Sequence, residues 1–197
     1  MADKKELLLK SAKELFSEQG FKATNVAEIT RSAGIATGTY YLYFTSKEQL
    51  FMEIFLAEND NLKKEILKDF DANSDPLTAI QHLMEKNING MTGNPILKEW
   101  YNREVFQKIE QKYCEENGLD RMDFMYEHFY KIIETWQAQG KMRPDIPADM
   151  IMAVFTAIIV IDERKDEIGL QFFPKIQDHL VDFVMKGLTD FAQQTQE

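Results

Sequence analysis

The sequence contains a single cysteine, Cys114, and only five prolines among its 197 residues. One cysteine excludes an intrachain disulfide, so a reducing compartment such as the cytoplasm is expected. The first residues, Met-Ala-Asp-Lys-Lys-Glu, lack the apolar core of a signal peptide. The longest apolar run, around residues 157–161, is too short to span a bilayer. The sequence therefore predicts a cytoplasmic protein without a membrane segment.

Patterns of known catalytic and metal sites are also missing. The three histidines stand at positions 82, 128 and 179, and no His-x-x-x-His or Glu-x-x-His pair occurs. The sequence contains no nucleophile elbow, phosphate-binding loop or dinucleotide fingerprint. We therefore predict that the protein is not an enzyme and needs neither a metal nor a cofactor.

Positive charge is scarce, and its distribution is uneven. The net charge is −10, but residues 1–50 carry seven Lys or Arg and six acidic residues, which leaves −11 for residues 51–197. An acidic body is repelled by phosphate, so any contact with nucleic acid is expected at the N-terminal segment. That segment is close to neutral and must rely on hydroxyl and backbone hydrogen bonds more than on cations.

The stretch from Thr24 to Lys47 has the pattern of a helix-turn-helix. Apolar residues at Val26, Ile29 and Ala33 have helical spacing, Thr24 is placed to cap that helix, and Gly34 follows its last residue. A second short apolar series runs through Ile35, Tyr40 and Phe44. Two short helices joined by a tight glycine turn form this motif.

The second helix of the pair is rich in hydroxyls. Residues 37–47 include three tyrosines, three threonines, a serine and a lysine. Hydroxyls and a lysine suit phosphate oxygens, and small residues at the helix start allow a close approach to base edges. The alternative is a solvated surface helix with half-buried tyrosines. Because the spacing is that of a helix-turn-helix, we interpret this helix as a DNA reader.

These residues resemble the N-terminal domain of the tetracycline-repressor (TetR) family of bacterial transcription regulators. The resemblance rests on Ala12-x-x-Leu15-Phe16-x-x-x-Gly20-Phe21, on residues 24–34, on Gly38-Thr39-Tyr40-Tyr41-Leu42-Tyr43-Phe44 and on Ser46-Lys47-Glu48-x-Leu50. It covers about the first 55 residues. Leu42 departs from the family pattern, which often has tyrosine or a polar residue there, and this change could remove one phosphate contact.

The resemblance implies an all-α protein of about nine helices. Residues 1–46 would form a three-helix DNA-binding domain, and residues 47–197 a ligand-binding and dimerisation domain. Thr37, Gly38 and Thr39 are expected to face bases, with Tyr40 and Phe44 in the core. The residues expected to hold phosphates are Thr24, Asn25, Tyr41, Tyr43 and Lys47. The implied function is that of a ligand-responsive regulator, most simply a repressor, which binds a palindromic operator in double-stranded DNA as a homodimer.

The rest of the chain reads as a series of helices. Ser46-x-x-Gln49 is a capping box that begins a long helix reaching about residue 69. Further helices are predicted from Pro76, from Asn94-Pro95, and over residues 120–139, 148–161 and 171–193. No alternation typical of strands and no internal repeat occurs.

The last two helices are apolar over broad stripes and need more cover than one chain supplies. One interpretation is a final helix packed on its own chain. The other, which the resemblance implies, is a four-helix interface between two subunits. Its predicted residues are Phe155, Ile158, Ile159, Phe173, Leu180, Phe183 and Val184.

A small-molecule site is predicted from residue type, since no sequence motif marks it. Methionines and aromatic residues suit an adaptable apolar cavity for an apolar or amphipathic effector. The candidate lining residues are Met84, Trp100, Tyr101, Met122, Met125, Phe129, Trp136 and Phe155. Each can equally be an ordinary core residue. A second functional hypothesis is a helical small-molecule-binding or sensor protein that does not bind DNA.

Overall fold

A computed structural model of the chain describes residues 3–117, 124–173 and 175–191. Over these residues the chain forms helices and no strand, as predicted. The α-helices are α1 (Lys4–Ala23), α2 (Val26–Ser32), α3 (Thr37–Tyr40), α4 (Lys47–Lys68), α5 (Pro76–Gly93), α6 (Arg103–Asn117), α7 (Phe124–Ala138), α8 (Ala148–Val160), α9 (Lys165–Ile168) and α10 (Lys175–Thr189). Short 3₁₀ turns occupy Leu97–Tyr101, Ile161–Arg164 and Leu170–Phe172. None of the helices described is long and apolar enough to cross a membrane.

The chain divides into two compact units. The first comprises Met1–Lys68 with Glu85–Asp120, and the second comprises Asp69–Met84 with Arg121–Glu197. The first unit thus extends well past the predicted functional boundary between residues 46 and 47, because α4 packs on α1 and on α6. The predicted boundary divides a DNA-binding part from a ligand-binding and dimerisation part, and not one compact unit from the other. It stays a prediction.

A cluster of aromatic rings forms the centre of the first unit. Phe51 in α4 is fully buried, and its ring centroid lies 5.1 Å from that of Phe16 and 5.1 Å from that of Phe21. One turn further along α4, the Phe55 ring lies 4.8 Å from Phe106 of α6. Apolar residues of α1 and α4 recur at helical spacing, so each helix buries one face against these rings. This packing braces the short helices α2 and α3.

The second unit has its own core, made by α7, α8 and α10 with the first part of α5. Trp136 of α7 is 1 % exposed, and its indole nitrogen donates a hydrogen bond of 2.8 Å to the carbonyl of Ala72. Ile151 of α8 and Met185 of α10 are buried in the same cluster. Isolated α7, α8 and α10 would expose these stripes, so their stability depends on one another.

Two predicted helix starts differ from the structure. Asn94-Pro95 does not open an α-helix; the chain forms the 3₁₀ turn Leu97–Tyr101, and α6 begins only at Arg103. The Asn94 side chain accepts the amide of Ile96 at 2.9 Å and so holds this tighter turn. The helix predicted from residue 171 begins at Lys175, because Phe173 is extended (φ −90°, ψ 146°) and precedes a proline in the sequence.

Candidate functional site

The corner between α1 and α2 is shaped by Gly20. Its φ of +80° and ψ of 170° turn the chain out of the regular helix, a conformation open to glycine at little cost. The hydroxyl of Thr24 donates to the Gly20 carbonyl at 2.9 Å and is buried, with Thr24 only 1 % exposed. The same oxygen accepts from the side-chain amide of Gln19 at 3.3 Å, and the N-cap of α2 is Asn25, so the predicted cap at Thr24 is wrong.

Asn25 is the residue that caps α2. Its side chain accepts the amide of Glu28 at 3.0 Å, and the Glu28 carboxylate accepts the amide of Asn25 at 3.3 Å. This reciprocal pair is a capping box, which satisfies two amides that the helix start leaves without partners. Asn25 therefore has a structural role as the cap of α2. It is also exposed at the helix start, as its predicted phosphate contact requires.

The turn between α2 and α3 sets the angle of the second helix. Gly34 adopts φ +66°, the Ile35 amide donates to Thr30 at 2.9 Å, and the Gly34 amide donates to Arg31 at 3.2 Å. These bonds close the end of α2 in the manner of a Schellman motif. No atom lies within 4 Å of the place where a side chain of Gly34 would begin, so crowding does not explain the glycine. The positive φ of Gly34 is the reason that glycine is favoured at this turn.

Helix α3 is short, but its helical turn continues past Tyr40. The amides of Tyr43 and Phe44 both donate to the Tyr40 carbonyl, at 2.9 and 3.0 Å. Tyr40 and Phe44 are buried, as predicted, and the Tyr40 hydroxyl donates to the Ser46 carbonyl at 2.9 Å. The inner face of α3 is therefore fixed to the core and to the start of α4, and its outer face is held rigidly.

The outer face exposes most of the predicted DNA-binding residues. Thr37, Gly38, Tyr41 and Tyr43 are exposed, and Thr39 is half-buried. Tyr41 is 58 % exposed and Tyr43 is 37 % exposed, so both phenol groups are accessible to a partner. Thr37 also places its hydroxyl 3.3 Å from that of Thr30, which orients the first turn of α3.

Lys47 is directed into the protein instead. Its ammonium donates to the carbonyls of Phe21 and Thr24, at 2.7 and 2.8 Å, and lies 4.0 Å from the centre of the Phe21 ring. Burial lowers the pKa of Lys47, and the nearby Glu48 opposes that shift. The side chain ties the start of α4 to the corner between α1 and α2, and a phosphate would compete with two carbonyls for it.

The sequence interpretation missed one exposed residue. Leu42 is 80 % exposed at the end of the same helical turn. It follows Gly38 by four residues and lies opposite Tyr40 and Phe44 on a helical wheel. This spacing in the sequence indicates that Leu42 faces outward. Comparison with the family pattern predicts only a lost phosphate contact at this position.

A stability test follows from Tyr40. Burial raises the pKa of its hydroxyl, so the unfolded chain ionises above a pH of about 10 while the folded chain keeps its proton. The stability due to this group is complete below that pH and declines as the pH rises above it. Tyr40→Phe should lower the free energy of unfolding by about 1 kcal/mol at neutral pH. Urea unfolding at pH 8 and pH 10.5 should show a smaller alkaline loss in Tyr40→Phe than in wild type; equal losses would contradict the assignment.

The candidate effector residues fall in both units. Met84, Phe129, Trp136 and Phe155 belong to the core cluster of the second unit, with Trp136 buried and the others partly buried. Trp100 packs on the Phe106 ring at 4.9 Å in the first unit, to which the 38 % exposed Tyr101 also belongs. Met122 lies outside the described residues, as does the side chain of Met125.

The predicted dimer residues are apolar and in part exposed. Ile159 is 61 % exposed and Phe183 is 66 % exposed, whereas Ile158 is buried in the unit's own core. Phe155, Phe173, Leu180 and Val184 are partly buried. An open groove of about 260 Å³ between α8 and α10 has Arg143, Val154, Phe183 and Val184 among its lining residues.

No group of three or more histidine, cysteine, aspartate or glutamate side chains that could hold a metal ion occurs among the residues described.

Arg143, one of the residues that line the groove, donates two hydrogen bonds of 2.7 and 2.6 Å to the carboxylate of Asp145. This pair holds the pKa of the Asp145 carboxyl below its usual range.

A rigid helix-turn-helix with an outward hydroxyl-bearing face, joined to a helical body, defines a class of DNA-binding transcriptional regulators. Residues 8–54 match the family model described as bacterial regulatory proteins of the TetR family. This match confirms the resemblance to the TetR-family DNA-binding domain that the sequence predicted.

Similarity to known proteins extends along most of the chain. The chain is 27 % identical over 157 residues to the HTH-type transcriptional repressor KstR2 of Mycolicibacterium smegmatis, covering 76 % of this chain and 73 % of that protein. A TetR-family transcription regulator from Shewanella sp. PV-4 has a TM-score of 0.56 at 21 % identity, covering 96 % of this chain and all of the other. The fatty acid degradation regulator FadR from Bacillus halodurans has a TM-score of 0.57 at 16 % identity, covering 100 % and 99 %. Both structures share the fold, and these relatives are regulators, not enzymes.

Proposed function

We propose that this protein is a cytoplasmic repressor that binds a palindromic operator as a homodimer and is released by an apolar or amphipathic small molecule. The observation that carries the proposal is the outer face of α3, where exposed hydroxyls stand on a helix whose other face is anchored in the core. A reader of bases needs this rigidity, because a displaced recognition helix loses its register on the groove.

The proposed contact residues are those whose exposure in the geometry described above is compatible with a DNA contact. Thr37, Gly38 and Thr39 face bases, and Tyr41 and Tyr43 donate to phosphates. Asn25, at the start of α2, is a further phosphate contact. Thr24 and Lys47 act through position, because their polar atoms hold the corner between α1 and α2.

Assembly as a dimer supplies the specificity that one small head lacks. A single helix-turn-helix buries little surface, and two heads related by a two-fold axis read half-sites about one helical turn apart. The exposed apolar residues of α8 and α10 are the surface proposed to join the two copies. The acidic body then keeps DNA contact at the heads.

The effector site is proposed within the second unit, around Met84, Phe129 and Phe155. These side chains are partly buried beside the Trp136 core, and methionine and phenylalanine adapt to apolar ligands. Release requires only that the ligand bind better to a dimer whose heads are wrongly spaced for the operator. Couplings of about 1–3 kcal/mol, typical of allosteric proteins, would change operator affinity roughly 5- to 150-fold.

In vitro selection tests the DNA-binding function directly. The full chain is incubated with a pool of random duplexes at fixed salt, and bound sequences are recovered over several rounds. Enrichment of a palindrome is the expected result, since two copies present identical heads. Recovery of unenriched sequences, with no binding above that of a control protein, would reject the proposal in favour of a sensor that does not bind DNA.

Two variants on the outer face of α3 separate positioning from base reading. Tyr43→Phe removes a phosphate donor from each head and should weaken binding to operator and scrambled duplex alike, by about tenfold per half-site for a bond to a charged group. Thr39→Ala should change which bases are preferred and leave scrambled binding near wild type. Fluorescence anisotropy on both duplexes measures this. Unchanged operator binding in both variants, with unfolding curves like wild type, would contradict the assignment.

A further inference from the structure

Leu42 is the most exposed large apolar side chain in the part of the chain that the structure describes, at 80 %. Its neighbours Tyr41 and Tyr43 are less exposed and carry hydroxyls. A leucine can neither donate nor accept a hydrogen bond, so it gains nothing from a phosphate. On the outer face of a helix proposed to read DNA, Leu42 is therefore expected to contact an apolar group.

The position of Leu42 on its helical turn points it away from the protein. The amide of Leu42 donates to Thr39 at 3.2 Å, so the helical turn includes it. It stands four residues after Gly38, and residues four apart share a helix face. Around Gly38 no atom lies within 4 Å of the place where a side chain would begin. Whatever surface α3 approaches at Gly38 therefore also meets Leu42.

The major groove offers one apolar feature on its base edges, the C5-methyl group of thymine. We propose that Leu42 reads a thymine methyl in each operator half-site and so determines specificity at that base pair. The inference rests on the proposed function, in which the outer face of α3 enters the major groove. It replaces the idea of a lost phosphate contact with that of an added base contact.

Uracil substitution isolates the methyl group, because uracil pairs as thymine does and lacks only that group. Each thymine of the selected operator is replaced by uracil in turn, at the same place in both half-sites. Burial of one methyl group corresponds to about fourfold in affinity per half-site. Wild type should lose about this factor at one thymine position, and Leu42→Ala should bind the thymine and uracil forms of that position equally.

Leu7→Ala is the matched control, since it removes the same side chain from an exposed site on α1. It should keep the uracil sensitivity of wild type. Two outcomes would overturn the inference: a wild type that is insensitive at every thymine, or a Leu42→Ala variant that keeps the same sensitive position. A selection that enriches no sequence would instead reject the proposed DNA-binding function on which the inference rests.

Discussion

Phe183→Asp is expected to convert the protein to a monomer and to lower its operator affinity by about 100-fold or more. Phe183 lies on α10 with 66 % of its surface exposed, and its ring stacks on His179 with centroids 6.2 Å apart. An aromatic side chain buries about 150–250 Å² when it is covered, which makes it a strong anchor for a partner. A two-fold axis places each substitution in the interface twice, so two desolvated carboxylates would oppose association.

The loss of DNA binding follows from the loss of linkage between the heads. Two linked sites gain about 10²- to 10⁴-fold in avidity over either alone, without any new contact to DNA. Sedimentation equilibrium measures the mass, and anisotropy on the operator measures the affinity. The two readouts should change together.

Phe183→Leu provides the control, because it keeps an apolar side chain at the same site and should remain a dimer. Since Phe183 contributes little to the buried core of its own chain, the Asp variant should keep the helical circular dichroism of wild type. A Phe183→Asp protein that stays dimeric at micromolar concentration would place the interface elsewhere.

Phe51→Ala is expected to lower the free energy of unfolding by about 3–5 kcal/mol, the usual cost of emptying a phenylalanine site in a core. Phe51 is fully buried and contacts Phe16 and Phe21 edge to face, with ring centroids 5.1 Å apart in each pair. Those two rings belong to α1, so the cavity would open between the helices that support the helix-turn-helix.

Phe21 links this cavity to the DNA-reading region. Its amide donates to the Glu99 carboxylate at 3.3 Å and its carbonyl accepts from Lys47 at 2.7 Å. A Phe21 ring that shifts into the space left by Phe51 would strain both bonds. DNA affinity should therefore fall even at temperatures where Phe51→Ala remains folded.

Urea unfolding gives the stability of this variant, and operator binding is measured well below its midpoint. The matched control is Phe172→Ala, which removes the same side chain where it is 52 % exposed and should change stability by less than about 0.5 kcal/mol. Equal effects of the two substitutions would contradict the role given to the Phe51 cluster.

The helices that carry the site were predictable because they depend on local pattern. Apolar spacing in the sequence predicted that Tyr40 and Phe44 face inward, and the preference of proline for the first helical turn predicted that a helix begins at Pro76. Both predictions are confirmed. Gly34 ends α2 with positive φ, as its place after the last apolar residue indicated. The predicted DNA-binding, effector and dimer contacts depend on partners outside the chain and stay proposals.

The side-chain partners of the polar residues were not predictable in the same way. Thr24 and Lys47 both carry groups suited to phosphate. The Thr24 hydroxyl instead donates to the Gly20 carbonyl, and the Lys47 ammonium donates to carbonyls at the corner between α1 and α2. Trp136 is of a residue type common in ligand pockets. Its indole nitrogen, however, donates a hydrogen bond to the carbonyl of Ala72, which is 64 residues away in the sequence.

The helical fold, the helix-turn-helix and the resemblance to TetR-family regulators can all be predicted from the sequence, because they follow from periodicity, turn residues and a contiguous motif. The tertiary structure decided which polar atoms face solvent and which face other parts of the chain. That choice depends on carbonyls and rings brought close by distant segments, whose positions no local pattern contains. A helical wheel predicts that Leu42 faces outward, but only the tertiary structure shows that it is left 80 % exposed by the residues described.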